Sequence, residues 1–233
     1  MTTLRVAAVQ ASYVLMDRDA TIDRVAGLTA AAARDGAQLV IFPEVFVPGT
    51  PIWIDTRVIW DGDEEWFGLL AGNAVVIPGP AAERLGAIAA DHGVWLVVGV
   101  SERSEHGATI YNTVLYYSPE GALAGRHRKL MPTGSERTVW GMGDGSTLRV
   151  VDTGMGRIGG LTCWENYMPL DLDLRTVAAE RRLMDPVGHY NRPDVFRLLV
   201  DTSPRPAVVE TGGAPANSVA ANLAARTCGP TEV

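Results

Sequence analysis

An amphipathic segment between two short apolar runs is the feature that most limits the folds open to this chain. Residues 19–34 predict a helix, and Gly36 follows them as a left-handed C-terminal cap. The apolar positions of that helix recur at helical spacing: Ile22, Val25, Leu28 and Ala32. The runs on either side, 4–10 and 39–42, are typical of strands, the second covered on both faces. A β-α-β unit in an α/β protein is therefore predicted.

Further elements extend this unit into a larger sheet. In chain order they are a helix at 81–92, a strand at 94–100, a hairpin of 111–117 and 122–126, and a strand pair at 148–151 and 157–163. Ser118-Pro-Glu-Gly121 supplies the turn chemistry of the hairpin. The order predicts a mixed sheet with helices on one face rather than an all-β sandwich.

Composition excludes several classes of partner. The net charge is −7, and the longest basic run has four residues, which argues against nucleic acid. No apolar stretch approaches the roughly 20 residues of a membrane helix, so we expect no membrane partner. Cys163 and Cys228 stand far apart, and no leader pattern precedes the first strand. We therefore expect reduced thiols and a cytoplasmic location.

Three chemically distinct side chains stand at the predicted edges of elements. Cys163 follows the apolar run 158–161, Glu44 follows the strand at 39–42, and Lys129 follows the hairpin. A thiol becomes a nucleophile when a base takes its proton or a cation stabilises the thiolate. Glu44 is one candidate base, and Lys129 can stabilise developing negative charge. The alternative base is a histidine brought from a distance: His92, His106, His127 or His189.

Four motifs, in this order, resemble those of the nitrilase branch of the carbon–nitrogen hydrolases. They are Phe42-Pro-Glu44, His127-Arg-Lys129-Leu-Met-Pro-Thr133, Glu136-Arg-Thr-Val-Trp-Gly141 and Cys163-Trp-Glu-Asn-Tyr167. The similarity runs over residues 4–170 and returns in 171–198. Any one motif alone is a weak signal, but four in the correct order are a strong one.

The resemblance implies a catalytic triad of Glu44, Lys129 and Cys163, with Glu136 as a supporting carboxylate. It also implies that Trp164 contributes to the substrate pocket, since tryptophan after the cysteine is similar to nitrilases proper. The implied fold is a nitrilase-like αββα sandwich that pairs into a homodimer or larger homo-oligomer. The family's reaction implies no cofactor and no metal.

The resemblance breaks near residues 170/171, where the chain passes into a segment similar to the family's C-terminus. Roughly 60 to 100 residues, two helices and three strands, are missing at this junction. We therefore predict an internal deletion and a sandwich that is incomplete in its C-terminal half. The predicted hydrolase domain is 1–198, and 199–233, rich in small and polar residues, is a predicted disordered tail.

Three functions follow as hypotheses. The first is a nitrilase, a hydrolase of carbon–nitrogen bonds other than peptide bonds, which converts a small nitrile into a carboxylic acid and ammonia through a cysteine thioimidate. The second is an amidase or carbamoyl hydrolase on the same scaffold, which Trp164 disfavours. The third is a truncated, non-catalytic relict of a nitrilase, which the junction favours.

Overall fold

The computed structural model describes residues 4–56 and 64–167. A mixed six-stranded sheet forms the centre of this part of the chain. Its strands are β1 (Val6–Ala8), β2 (Leu39–Ile41), β3 (Val75–Val76), β4 (Trp95–Arg103), β5 (Ile110–Tyr117) and β6 (Leu123–Arg128). The predicted mixed α/β sheet is therefore confirmed.

Strand order brings the ends of distant segments together. The main path is β1-β2-β4-β5-β6, with β3 paired to the far end of β4. The strands β1, β2 and β4 run parallel, whereas β4-β5-β6 are antiparallel. Because Ile41 pairs with Val97, the C-terminal end of β2 lies beside the first third of β4.

Two of the three described helices cover one face of the sheet. They are α1 (Arg18–Arg34) and α3 (Pro80–His92), while α2 (Glu64–Asn73) packs in a separate cluster with Trp53 and Trp140. Alternate β4 residues pack under α1 and α3, as the two-residue period of a strand requires: Leu96, Val98 and Val100. No helix among residues 4–56 and 64–167 combines the length and the apolar character needed to cross a membrane.

The opposite face carries a small second sheet of β7 (Val151–Asp152) and β8 (Arg157–Ile158). Val151 and Ile158 pack on Leu39, Trp95, Val97, Val114 and Tyr116 of the main sheet. The described part thus has a helix layer, a sheet and the beginning of a second sheet. The predicted junction at 170/171 and tail at 199–233 lie outside the described residues, and the domain boundary at 198 stays a prediction.

Three sequence predictions differ from the structure. Of the predicted strand 148–151, only Val151 is a strand residue, in β7. The predicted strand 157–163 pairs over Arg157–Ile158 and then leaves regular structure at Gly159-Gly160. Cys163 instead begins a 3-10 turn, Cys163–Tyr167. The helix α2 is missing from the sequence prediction, because Gly68 and Gly72 interrupt its apolar pattern.

Candidate active site

Glu44 lies in a tight turn directly after β2. The turn is fastened to β4 because Phe42 N–H donates to the Val97 carbonyl at 2.8 Å. Gly99 on β4 permits this approach, since a Cβ there would lie 2.4 Å from the Pro43 carbonyl oxygen and 2.6 Å from the Val45 nitrogen. Any side chain at position 99 would displace the turn that carries the carboxylate.

Lys129 directly follows β6 and is held on both sides by backbone hydrogen bonds. Its N–H donates to the Asn112 carbonyl of β5, and its carbonyl accepts from Gly143 N–H, both at 2.8 Å. The side chain is 1% exposed, among the largest fully buried side chains of the described residues. A buried ammonium needs negative partners, since burial without them disfavours the charge.

Two carboxylates supply those partners. The Nζ of Lys129 lies 2.7 Å from Glu136 Oε2 and 3.1 Å from Glu44 Oε1. Burial acts to lower the pKa of Lys129, but its hydrogen bonds and charge interactions with Glu136 and Glu44 outweigh burial and hold that pKa above its ordinary value. Lys129 is therefore an ammonium throughout the physiological pH range.

Glu136 combines a structural and an electrostatic contact. It is the third residue of a capping box with Thr133, in which Thr133 N–H donates to Glu136 Oε2 at 2.8 Å. The same oxygen accepts from Lys129. Glu136 therefore both caps the 3-10 turn and binds the ammonium of the candidate triad.

Cys163 stands at a sharp turn at the start of the 3-10 segment. Its backbone φ is +57°, a left-handed conformation that L residues rarely adopt. Its side chain is exposed and forms no disulfide within the described residues. Its Sγ, a Glu44 carboxylate oxygen and a Glu136 carboxylate oxygen all lie within 4.8 Å of one another. The structure thus brings together Glu44, Lys129, Glu136 and Cys163.

Carboxylate and thiolate groups can also be metal ligands. Here, however, the Lys129 ammonium already hydrogen-bonds to both carboxylates. The arrangement is therefore built around a positive side chain rather than around a metal ion.

The candidate histidine bases do not replace Glu44 in this arrangement. His127 is buried, its Nε2 lies 3.0 Å from Glu165 Oε2, and its Nδ1 lies 3.5 Å from the Thr147 hydroxyl. His92 ends α3, and the exposed His106 lies beside Glu105. His189 lies outside the described residues.

A cavity of about 520 Å³ opens beside the cluster. Its walls are largely apolar, and it includes both Glu44 and Cys163. Tyr116 also lines it, and burial raises the pKa of that phenol to about 12, so it is neutral at physiological pH. Trp164 is 61% exposed and is not among the residues that line this cavity.

Sequence reasoning missed two residues that shape the site. Asn112 is buried in the middle of β5, and its Nδ2 donates to Glu44 Oε1 at 2.6 Å. A polar residue inside an apolar strand was the available signal for Asn112. The role of Gly99 depends on the neighbouring turn, so no local pattern marks it.

Comparison with known proteins agrees with this geometry. Residues 5–181 match the family model described as carbon-nitrogen hydrolase. The chain is 47% identical over 174 residues to a bifunctional nitrilase/nitrile hydratase of Nicotiana tabacum, covering 72% of the chain and 49% of that protein. It is 47% identical over 176 residues to an aliphatic nitrilase of Sinorhizobium fredii (strain HH103), covering 73% and 56%. The chain thus spans about half the length of these relatives.

Solved structures show the same fold. Nit3 of Saccharomyces cerevisiae, a member of branch 10 of the nitrilase superfamily, has a TM-score of 0.57 at 23% identity, covering 76% of this chain and 60% of that one. An amidase from Nesterenkonia sp. has a TM-score of 0.53 at 23% identity, covering 71% and 57%. The resemblance seen in the four motifs and the nitrilase-like fold are confirmed.

Proposed function

The chain belongs to the carbon–nitrogen hydrolase family, in its nitrilase branch, and on that premise we propose that it hydrolyses a small organic nitrile to a carboxylic acid and ammonia. The observation that carries the proposal is the convergence of Glu44, Lys129 and Cys163 beside one cavity. The proposed intermediate is covalent, on the sulfur of Cys163.

In the first step, the Glu44 carboxylate takes the proton of the Cys163 thiol. The sulfur attacks the nitrile carbon, and the nitrile nitrogen gains the proton, which gives a thioimidate. Negative charge develops on that nitrogen, and the Lys129 ammonium is the nearby group that stabilises it. Glu136 holds the ammonium from its other side at 2.7 Å.

In the second step, Glu44 removes a proton from water, and the oxygen adds to the thioimidate carbon. Protonation of the nitrogen lets ammonia leave, and a thioester remains on Cys163. A second water cleaves the thioester in the same way, which releases the carboxylic acid and restores the thiol. The sum consumes one nitrile and two waters.

A second outcome on the same intermediate is release of an amide. The tetrahedral adduct has two leaving groups, the amine and the thiol, and expulsion of the thiol gives the amide. The tobacco relative is named for both nitrilase and nitrile hydratase activity. We therefore propose to measure amide alongside acid for every nitrile.

Ammonia release tests the proposal. Wild-type protein is incubated with aromatic, arylacetic and aliphatic nitriles and with the matching amides, and ammonia, acid and amide are quantified. Cys163→Ala is expected to abolish release, whereas Cys228→Ala, which removes the second thiol, is the matched control and is expected to retain it.

The rival functions give different results. Ammonia from amides but not from nitriles would establish an amidase. Absence of release from every compound by the folded protein would favour the non-catalytic relict. The predicted homodimer or larger homo-oligomer stays a prediction, which size-exclusion chromatography with light scattering tests.

A further inference from the structure

A buried glutamate next to the thiol connects two segments that the proposed reaction must keep together. Glu165 is 2% exposed and His127 is 2% exposed. Glu165 lies in the 3-10 turn that begins at Cys163, whereas His127 lies on β6, two residues before Lys129. The contact between them therefore joins the thiol-bearing turn to the ammonium-bearing strand.

The carboxylate binds the backbone of both segments directly. Its Oε1 accepts from Leu130 N–H, and its Oε2 accepts from Thr162 N–H, each at 2.7 Å. Leu130 adjoins Lys129, and Thr162 adjoins Cys163. One carboxylate thus links the immediate neighbours of both groups.

His127 fixes the orientation of that carboxylate. Its Nε2 lies 3.2 Å from Glu165 Oε1 and 3.0 Å from Oε2, so this nitrogen donates to a group that can only accept. Burial acts to raise the pKa of Glu165, but the hydrogen bonds from His127, Leu130 and Thr162 outweigh burial and lower that pKa. The carboxylate is therefore charged at neutral pH and presents acceptors to all three donors.

We propose that Glu165, oriented by His127, is a positioning residue that sets the separation between the Cys163 sulfur and the Glu44–Lys129 pair. The inference rests on the proposed function, because it takes those three side chains as the reacting groups. Loss of the link would release the strained turn at Cys163, whose φ of +57° needs support from its surroundings.

Glu165→Gln tests this role with little change of shape. The amide presents one acceptor and one donor, so either Leu130 N–H or Thr162 N–H then faces another donor. A displacement of about 1 Å costs about 100-fold in rate. We expect kcat for the nitrile to fall roughly 10- to 100-fold, with KM changed less than about threefold.

Thiol alkylation supplies a readout that needs no nitrile. An ordinary thiol with a pKa of about 8.5 reacts about 90-fold faster at pH 9.5 than at pH 6.5. With Glu44 in reach as a base, alkylation of Cys163 is expected to depend less steeply on pH. The rate ratio, defined as the alkylation rate at pH 9.5 divided by that at pH 6.5, is therefore expected to be far smaller than about 90 in the wild type. In Glu165→Gln this ratio is expected to rise toward about 90. The ratio is measured well below the Tm of each variant, because an unfolded molecule exposes Cys163 as an ordinary thiol and would itself raise the ratio.

The alkylation is followed with iodoacetamide on the peptide that contains Cys163. Glu102→Gln is the matched control, because Glu102 is also buried and also binds β6, through Arg126 and Arg128, without a backbone contact beside the thiol. It is expected to lower Tm and to leave the ratio unchanged. His127→Gln keeps both backbone links but loosens their orientation, and its ratio is expected to rise by less.

An unchanged ratio in folded Glu165→Gln would overturn the proposal, and so would an equal rise in Glu102→Gln. If Glu165→Gln does not fold, His127→Gln decides, and an unchanged ratio there overturns the proposal as well. A wild type with a small ratio but no ammonia release would refute the proposed function and leave the positioning role standing.

Discussion

Replacing Asn112 with leucine separates the positioning of Glu44 from the stability of the fold. Asn112 Nδ2 lies 2.6 Å from Glu44 Oε1, while its Oδ1 is buried and has no hydrogen-bond partner among residues 4–56 and 64–167. A hydrogen bond to a charged group is worth about 1.5–3 kcal/mol, and a buried unpaired acceptor costs about 1–3 kcal/mol. Since the variant removes both, we expect the free energy of unfolding to change by less than about 1 kcal/mol.

Activity is expected to respond differently. A methyl carbon approaches an oxygen to about 3.3 Å, so the Glu44 carboxylate must move by roughly 0.7 Å. The variant also leaves Glu44 without the amide donor that orients it. At about 100-fold per ångström, we expect kcat for ammonia release to fall roughly 10- to 100-fold.

Thr113→Val is the matched control, because Thr113 neighbours Asn112 on β5 but donates to Glu102, at 2.8 Å, rather than to Glu44. It is expected to lower Tm by several degrees and to change kcat less than about twofold. Both variants are measured by ammonia release at saturating nitrile and by thermal denaturation. Unchanged kcat in Asn112→Leu, or a loss that merely follows unfolding, would refute the reasoning.

Three further outcomes are expected. Lys129→Met leaves the carboxylates of Glu44 and Glu136 within 4.8 Å of each other without the ammonium between them. Their repulsion is about 3.5 kcal/mol at an effective dielectric of 20, and solvent at Glu44 reduces it. Denaturant titration should therefore show a free energy of unfolding lower by about 1–3 kcal/mol, and ammonia release should fall more than about 1000-fold. Gly99→Ala places a Cβ 2.4 Å from the Pro43 carbonyl, so Tm and kcat should fall together. The pKa of Glu165 is lowered in the folded protein, so the ionised carboxylate stabilises the fold above the ordinary pKa of 4.5, and this stabilisation is lost as pH falls below it. In an acid titration, Glu165→Gln should therefore lose less stability than the wild type over this pH range.

The sheet was predictable because its strands carry local signals. Apolar runs and turn residues locate β2, β4 and the β5–β6 hairpin to within a few residues. The prediction of a strand reaching Cys163 was wrong, since pairing ends at Ile158 and Gly159 and Gly160 pair with no strand among residues 4–56 and 64–167. An apolar run alone does not reveal whether a pairing partner is present.

The candidate residues were found through motif order, but the contacts between them were not. That Lys129 is buried between two carboxylates follows from strand order, which no local pattern encodes. Asn112 and Gly99 act across neighbouring strands, and Glu165 acts through backbone donors of two segments. Such roles depend on tertiary proximity, which no local sequence pattern encodes.

Mass spectrometry of a trapped intermediate tests the proposed covalent chemistry most directly. Wild-type protein is mixed with a nitrile that it turns over, quenched in acid within the first turnover, and digested. The expected result is a peptide containing Cys163 that is heavier by the whole mass of the nitrile, as a thioimidate requires, and no such adduct in Cys163→Ala. Ammonia release that proceeds with Cys163 unmodified, or that persists in Cys163→Ala, would contradict it.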